Sequence, residues 1–358
     1  YRELHTFELQ APTRLIEWAR GSRVCVAGYG QSGGNEILQL IPPPSLQAKE
    51  TQGLCPERDF KVECGGFSKH PVYSLKYVPD TSFLVTSGPP DSSVQVWQVS
   101  AEDSDVIKPV GTIVTENSTG QPWAKIATMS ARAPWVLHGS TLDSVQITEV
   151  ELRKNVYTAA RRGGEELSGV AFLDPSTALL CCARGGLCVA DLRQPRGSSQ
   201  PVSRTAPPGD RWCMGTARPA QCTGTASEPV ARLSSSGLLT LTDLRKASEP
   251  LASARARVPS PGSGTEFLCV SWAPALPGCL AVSGFDGTVQ VYDTQGWDSS
   301  GREAEPTFVH RGHVLGGAGD PALVTAHTWH PQKARTLLSA ATDGSLHIWD
   351  WVQPAGNC

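Results

Sequence analysis

At 358 residues, 39% hydrophobic and 18% charged, with 35 glycines and 28 prolines, the chain can bury a large core but is too turn-rich for long helices. Its formal net charge of -3 and pI near 6.3 give no general attraction to phosphate backbones or anionic lipid, which disfavours direct nucleic-acid and membrane-surface partners. No stretch reaches the roughly 18 consecutive apolar residues of a membrane span. No signal-type apolar segment opens the chain, and it begins at Tyr1 rather than Met, so an earlier start is expected.

An alternating run at residues 2–9 (RELHTFEL) comes first and has no companion strand beside it. Behind it the chain falls into triplets of short apolar runs with a period of two, the pattern of half-buried strands. The triplets span residues 13–41, 72–99, 123–150, 166–192, 212–244, 267–293 and 324–351. The clearest are 72–99, 267–293 and 324–351, in which a turn led by Asp91, Asp286 or Asp343 feeds the third run, as in SGFDGTVQVYD and AATDGSLHIWD. The weakest, 212–244, is stretched by a Gly-, Ala- and Thr-rich insertion at 218–228.

Each gap between triplets leaves room for a fourth, outer strand, for example RDFKVE (58–63) and EPTFVHR (305–311). The last triplet has no chain left for one, so the 2–9 run is expected to complete it and so tie the chain ends together.

Runs ending in Trp-Asp, Tyr-Asp or Asp-Leu at intervals of about 40 to 60 residues resemble WD repeats, each of which is one four-stranded propeller blade. The resemblance implies an all-β, seven-bladed WD-repeat β-propeller over 1–358, closed by the N-terminal strand. It also implies a hydrogen-bonded set within a blade, matched best by His313, Ser339, Asp343 and Trp349, with Asp91, Trp97 and Asp286 keeping parts of it. The triplets between 123 and 244 keep almost none, leaving packing to hold those blades.

Chemistry-bearing motifs are weak. GYGQSG (28–33) fits a dinucleotide fingerprint but is followed by a strand-like run and PPP rather than a helix. His310 with His313 and His327 with His330 are spaced as metal ligands could be, but at i, i+3 in strands they point to opposite faces. The eleven cysteines have no framework spacing, and Cys25, Cys181, Cys182, Cys188, Cys269 and Cys279 fall in apolar runs, as reduced core residues do. Glu17, Lys76, Lys125 and His327 are channel-side titratable groups too scattered to nominate as catalytic. No catalytic, cofactor or metal residue is therefore assigned.

Trp18, Trp272 and Trp329 belong to blade packing, whereas Trp123 and Trp297, with His313, are the candidate partner contacts. Binding is expected on inter-strand loops, with 64–71, 115–122, 257–266 and 312–322 on one rim and 42–57, 100–109 and 294–306 on the other.

NEILQL, GLCPERDFKV, VWQVSAEDSDVIK, HRGH and HTWHP through HIWDWV are similar to a vertebrate family of WD-repeat adaptors, over nearly the whole chain. That resemblance implies a non-enzymatic cytoplasmic scaffold that holds the RNA endonuclease heterodimer of the Integrator complex during assembly. It also implies a place at spindle poles and the cleavage furrow in mitosis, and so an alternative role with spindle-pole or microtubule-associated proteins. The mild acidity of the chain makes a basic adaptor a better microtubule link than direct contact.

Overall fold

A computed structural model describes residues 1–9, 11–28, 35–43, 59–99, 105–114, 122–159, 164–194, 200–203, 209–216, 229–246, 249–258, 266–315 and 322–352. Strand β1 (Glu3–Glu8) precedes seven consecutive groups of strands. Blade 1 holds β2 (Thr13–Trp18), β3 (Val24–Gly28), β4 (Asn35–Ile41) and β5 (Lys61–Ser68). Blade 2 holds β6 (Ser74–Tyr77), β7 (Phe83–Ser87), β8 (Val94–Gln98) and β9 (Lys108–Ile113). Blade 3 holds β10 (Lys125–Ser130), β11 (Pro134–Gly139), β12 (Gln146–Glu149) and β13 (Lys154–Thr158). Blade 4 holds β14 (Leu167–Asp174), β15 (Thr177–Cys182), β16 (Leu187–Asp191) and β17 (Gln200–Ser203). Blade 5 holds β18 (Trp212–Gly215), β19 (Val230–Ser234), β20 (Leu238–Thr242) and β21 (Ala252–Arg255). Blade 6 holds β22 (Cys269–Trp272), β23 (Cys279–Ser283), β24 (Val289–Asp293) and β25 (Phe308–His310), and blade 7 holds β26 (Val324–Trp329), β27 (Thr336–Ala341) and β28 (Ser345–Asp350).

Each group is a four-stranded antiparallel meander, and the fourth strand of blade 7 is β1, in the order β1-β28-β27-β26. The register runs from Glu3 opposite Asp350 to Glu8 opposite Ser345, and Arg2 and Leu9 extend the ladder with N–H bonds to the carbonyls of Asp350 and Gly344. The first strands of successive sheets lie side by side all the way round, β26 against β2 included, so the sheets close into a seven-bladed propeller whose inner wall is β2, β6, β10, β14, β18, β22 and β26.

The core follows from this closure. It is divided into seven apolar clusters, each made by two neighbouring blades. In the cluster that seals blade 7 to blade 1, Trp18, Val24 and Leu40 meet Leu338, Leu346 and Ile348, with Phe7 and Leu9 of the closing strand packed against them. Alternation along each strand supplies the two faces, and each face finds an apolar neighbour rather than water.

Two outer strands run further than the sequence suggests. Residues 64–71 were expected as rim loop, yet β5 continues to Ser68, and Lys108 and Pro109 of the expected 100–109 loop begin β9. The glycines there mark a close approach instead of a turn: a Cβ on Gly66 would lie 2.4 Å from the Ile107 carbonyl oxygen. Most of GYGQSG, the 218–228 insertion and most of the loops at 42–57, 115–122 and 257–266 lie outside the described residues. Cys25, Cys64, Cys181, Cys182 and Cys188 are buried, and Cys213, Cys269 and Cys279 are partly buried.

Candidate functional site

Blade 7 gathers the expected set into one line of hydrogen bonds. Trp349 Nε1–H donates to Ser339 Oγ (3.2 Å), His313 Nε2 meets the same Oγ (2.9 Å), His313 Nδ1 meets Ser345 Oγ (2.6 Å), and Ser345 Oγ–H donates to Asp343 Oδ1 (2.5 Å). The direction follows by elimination. Ser345 gives its proton to the carboxylate, so it accepts from His313 Nδ1–H. His313 Nε2 is then an acceptor for Ser339 O–H, which leaves the Ser339 oxygen to receive the indole N–H. Every donor is used once, and the chain ends on a charged acceptor that also takes the Ser345 backbone N–H (2.9 Å). Protonating His313 would turn Nε2 into a donor and leave the Ser339 O–H without the acceptor it uses. The His313 pKa is pushed down to about 3, by burial first and by His347 second.

The partial sets behave accordingly. Trp97 Nε1–H donates to Thr86 Oγ1 (2.8 Å), and Asp91 and Asp286 accept the backbone N–H groups of Ser93 and Thr288 (2.8 Å each), as turn carboxylates do. Blades 3 and 5 use other groups. His138 bonds Thr148 (2.9 Å) inside blade 3, and the buried Arg232 of blade 5 reaches the Gly185 carbonyl of blade 4 and Thr242 Oγ1 (3.2 Å). Packing alone does not hold these blades.

His310 and His313 do come together, contrary to the expectation from strand alternation, because His313 lies in a 3-10 turn (Gly312–Leu315) after the strand ends. With His347 they place one ring nitrogen each within 4.8 Å of the others. The arrangement does not suit a tetrahedral metal. The His313 and His347 rings stack 3.9 Å apart and 5° from parallel, so their lone pairs run side by side, and both His313 nitrogens serve serines. Tyr1 Oη occupies His310 Nδ1 (2.9 Å), tying the first residue to blade 6. His327 is held elsewhere, by Ser271 and Ser283 (2.7 Å each), and His330 accepts the N–H groups of Gln332 and Lys333 (3.1 Å each).

Alternating strand direction puts the turns before innermost strands on one rim and the turns after third strands on the other. Trp123, half-buried, precedes β10 at the first rim, and Trp297, half-buried against Tyr292 (6.0 Å), follows β24 at the second, so the two candidate contacts do not share a face. His313 is 1% exposed and offers no surface to a partner.

Around Trp123 the channel mouth alternates rings and cations. Arg14 lies 3.8 Å over Tyr73 and 5.2 Å over Phe267 while donating to Glu266 (2.7 Å); Tyr73 meets Trp123 edge-on (5.5 Å); and Lys125 Nζ sits 3.0 Å over the Trp123 ring. Next comes the Arg211–Glu166 pair (2.6 Å). Burial pushes the Lys125 ammonium down to about 7, with Glu166 opposing the shift. Arg14, Tyr73, Arg211 and Phe267 were not singled out from sequence, although aligning the triplets on their first strands puts an aromatic or basic residue at this place in blades 1, 2, 3, 5 and 6, with Glu166 and Leu323 there in blades 4 and 7. The titratable channel groups do not form a cluster: Lys76 pairs with Glu17 (2.8 Å), Lys125 faces Trp123, and His327 faces serines.

A cleft of about 690 Å³ opens on the other rim between blades 1 and 2, lined by Arg20, Arg23, Gln39, Glu63, Tyr77 and Asp80. Arg23 and Gln39 both bond Glu63 there, so part of its polarity is spent internally.

The family described as WD domain, G-beta repeat matches residues 62–98 and 305–350, which include the parts of blades 2 and 7 where the sequence repeat is sharpest. Over the whole length, the chain is similar to proteins named Integrator complex assembly factor WDR73. It is 46% identical to the Xenopus laevis protein over 357 residues, covering 98% of this chain and 95% of that one. The Homo sapiens protein is 46% identical over 365 residues (98% and 95%), and the Danio rerio protein 42% identical over 360 residues (98% and 94%).

Proposed function

This chain belongs to the WDR73 family of WD-repeat propellers, and from that premise we propose that it is a non-enzymatic scaffold for assembly of the Integrator complex. Its client in this reading is the RNA endonuclease heterodimer of that complex, which it binds and stabilises in the cytoplasm. The observation that carries the reading is similarity at 42–46% identity across 98% of the chain to proteins named for that assembly.

Physical support comes from what the fold offers. A closed ring with seven inter-blade cores is a stiff platform whose loops and blade edges can vary without disturbing it. The channel's titratable groups are taken up by one another, by serines or by an aromatic face, an arrangement that favours holding a partner over chemistry.

The test is reconstitution: the purified chain is mixed with the purified endonuclease heterodimer, and the mixture is resolved by gel filtration with light scattering. A stoichiometric ternary species that slows thermal aggregation of the heterodimer is the expected result. Separate elution at micromolar concentrations would refute it.

A further inference from the structure

We infer that Lys125, at the mouth of the channel, receives an aspartate or glutamate side chain of the client. This deepens the assembly-factor reading and rests on it.

The inner strands and the residues leading into them carry four lysines and arginines among the described residues, and three of these hold a carboxylate from another blade. Arg14 holds Glu266 (2.7 Å), Lys76 holds Glu17 (2.8 Å) and Arg211 holds Glu166 (2.6 Å). Lys125, the first residue of β10, is the exception. Its ammonium lies 3.0 Å over the Trp123 ring, and no carboxylate, carbonyl or hydroxyl of the described residues accepts a hydrogen bond from it. A π face attracts the charge but leaves the three N–H donors of an ammonium without a full acceptor. At a half-buried position such a charge is costly, and a partner's carboxylate offsets the cost. Burial already pushes this ammonium down to about 7, with Glu166 opposing the shift and Arg211 adding to it.

The groups around β10 are committed elsewhere. On blade 2, Lys76 is paired with Glu17, Tyr77 Oη–H donates to the Thr81 carbonyl, and Tyr73 lies under Arg14. On blade 3, His138 is bonded to Thr148 (2.9 Å). On blade 4, Asp174 accepts from Ser176 (2.6 Å), and the charge of Glu165 acts on Cys182 and Cys188. Asp210, next to Arg211, accepts from Ser236 (2.6 Å). Lys125 is therefore short of a partner because of its own contacts, and the balance of charge over the rim does not enter.

The setting also selects the ligand. Arg14 and Arg211, whose forked donors a phosphate would call on, already hold carboxylates. What is left is one point charge walled by the half-buried rings of Trp123 and Tyr73, 5.5 Å apart. That suits a single carboxylate on a short apolar stem, the same chemistry that the other three cations have found within the chain.

Binding of the purified endonuclease heterodimer to the full chain, measured by biolayer interferometry from pH 6.5 to 8.5, tests the site. A carboxylate binds the charged form of Lys125, so affinity is highest below the lysine's pKa and falls as pH rises through it, while the client carboxylate, at an ordinary pKa of about 4, stays ionised. The wild type is expected to lose about tenfold in affinity over this range. Lys125→Met is expected to bind at least about tenfold more weakly at pH 6.5 and to lose the pH dependence. Lys125→Arg, whose guanidinium stays charged, is expected to hold its affinity up to pH 8.5. Lys154→Met, on the outer strand of blade 3, is expected to match the wild type. Circular dichroism and melting confirm each variant's fold, and Lys125→Arg keeps the test alive if Lys125→Met misfolds. Wild-type affinity in folded Lys125→Met, or a wild-type pH profile in Lys125→Arg, would overturn the site and leave the assembly reading standing. No binding by the wild type at any pH would overturn that reading, and the site with it.

Discussion

Ser339→Ala removes one oxygen from the middle of the blade 7 hydrogen-bond line. Ser339 and Trp349 are fully buried and His313 is 1% exposed, so water cannot replace the hydroxyl. Two groups lose their partner together: Trp349 Nε1–H, which donated to Ser339 at 3.2 Å, and His313 Nε2, which accepted from it at 2.9 Å. A buried polar group left unsatisfied costs about 1–3 kcal/mol. The vacated space is smaller than a water molecule, which leaves about 2–4 kcal/mol of destabilisation once modest relaxation of the imidazole is allowed. Urea unfolding followed by tryptophan fluorescence and circular dichroism measures it as a fall in midpoint at unchanged slope. Combining Ser339→Ala with Trp349→Phe, which removes the orphaned donor, should cost about 1 kcal/mol less than the sum of the single changes. A Ser339→Ala protein within about 0.5 kcal/mol of wild type, the range of ordinary surface changes, would refute the relay and its direction.

Removing residues 1–9 leaves β28 with an open edge and uncovers the face that Phe7 and Leu9 occupy; a fall of more than about 10 °C in Tm, or concentration-dependent association in the ultracentrifuge, is expected. His138, His327, His330 and His347 are held down to about 4, His313 to about 3, and His310 also well below the ordinary value, mainly by burial. Their folded pKa values lie below the unfolded value of about 6.5, so the unfolded chain binds more protons and stability falls as pH drops from about 6.5 toward 4, by up to about 1.4 kcal/mol per unit for each fully buried ring. Melting scans from pH 7.5 to 5.0 check this, and a flat Tm would contradict it. Lys125 should titrate near 7 instead of near 10.4 in carbon-13 NMR of labelled lysine, and Trp123→Leu, which strips the π face beneath it, should lower that value further.

The strands were readable because the alternation that makes them is local: "SGFDGTVQVYD" carries its turn and its buried face within eleven letters. The closing strand followed from counting, since blade 7 had no chain left for a fourth strand. Outer strands were less legible at 64–71, where the expected loop holds Gly65 and Gly66, because Gly66 admits the backbone of Ile107, a contact made across blades. The His313 line could be assembled because all its members lie in one repeat, whereas its meeting with His310 depended on a 3-10 turn that the period of two conceals. The channel mouth draws single residues from segments as far apart as Arg14 and Phe267, and no window of sequence contains it. Arg232 was passed over because a lone arginine in an apolar run gives no sign that its partner is a carbonyl in the next blade.

In the proposed function, this propeller holds the endonuclease pair before the complex is complete. Quantitative mass spectrometry of what co-purifies with the tagged full chain from cytoplasmic extract tests it most directly. The account expects the two endonuclease subunits in equimolar amounts with the tagged chain and the remaining Integrator subunits far below that level. Recovery of the whole complex at equal stoichiometry, or of tubulin and spindle-pole proteins without the endonuclease pair, would contradict it.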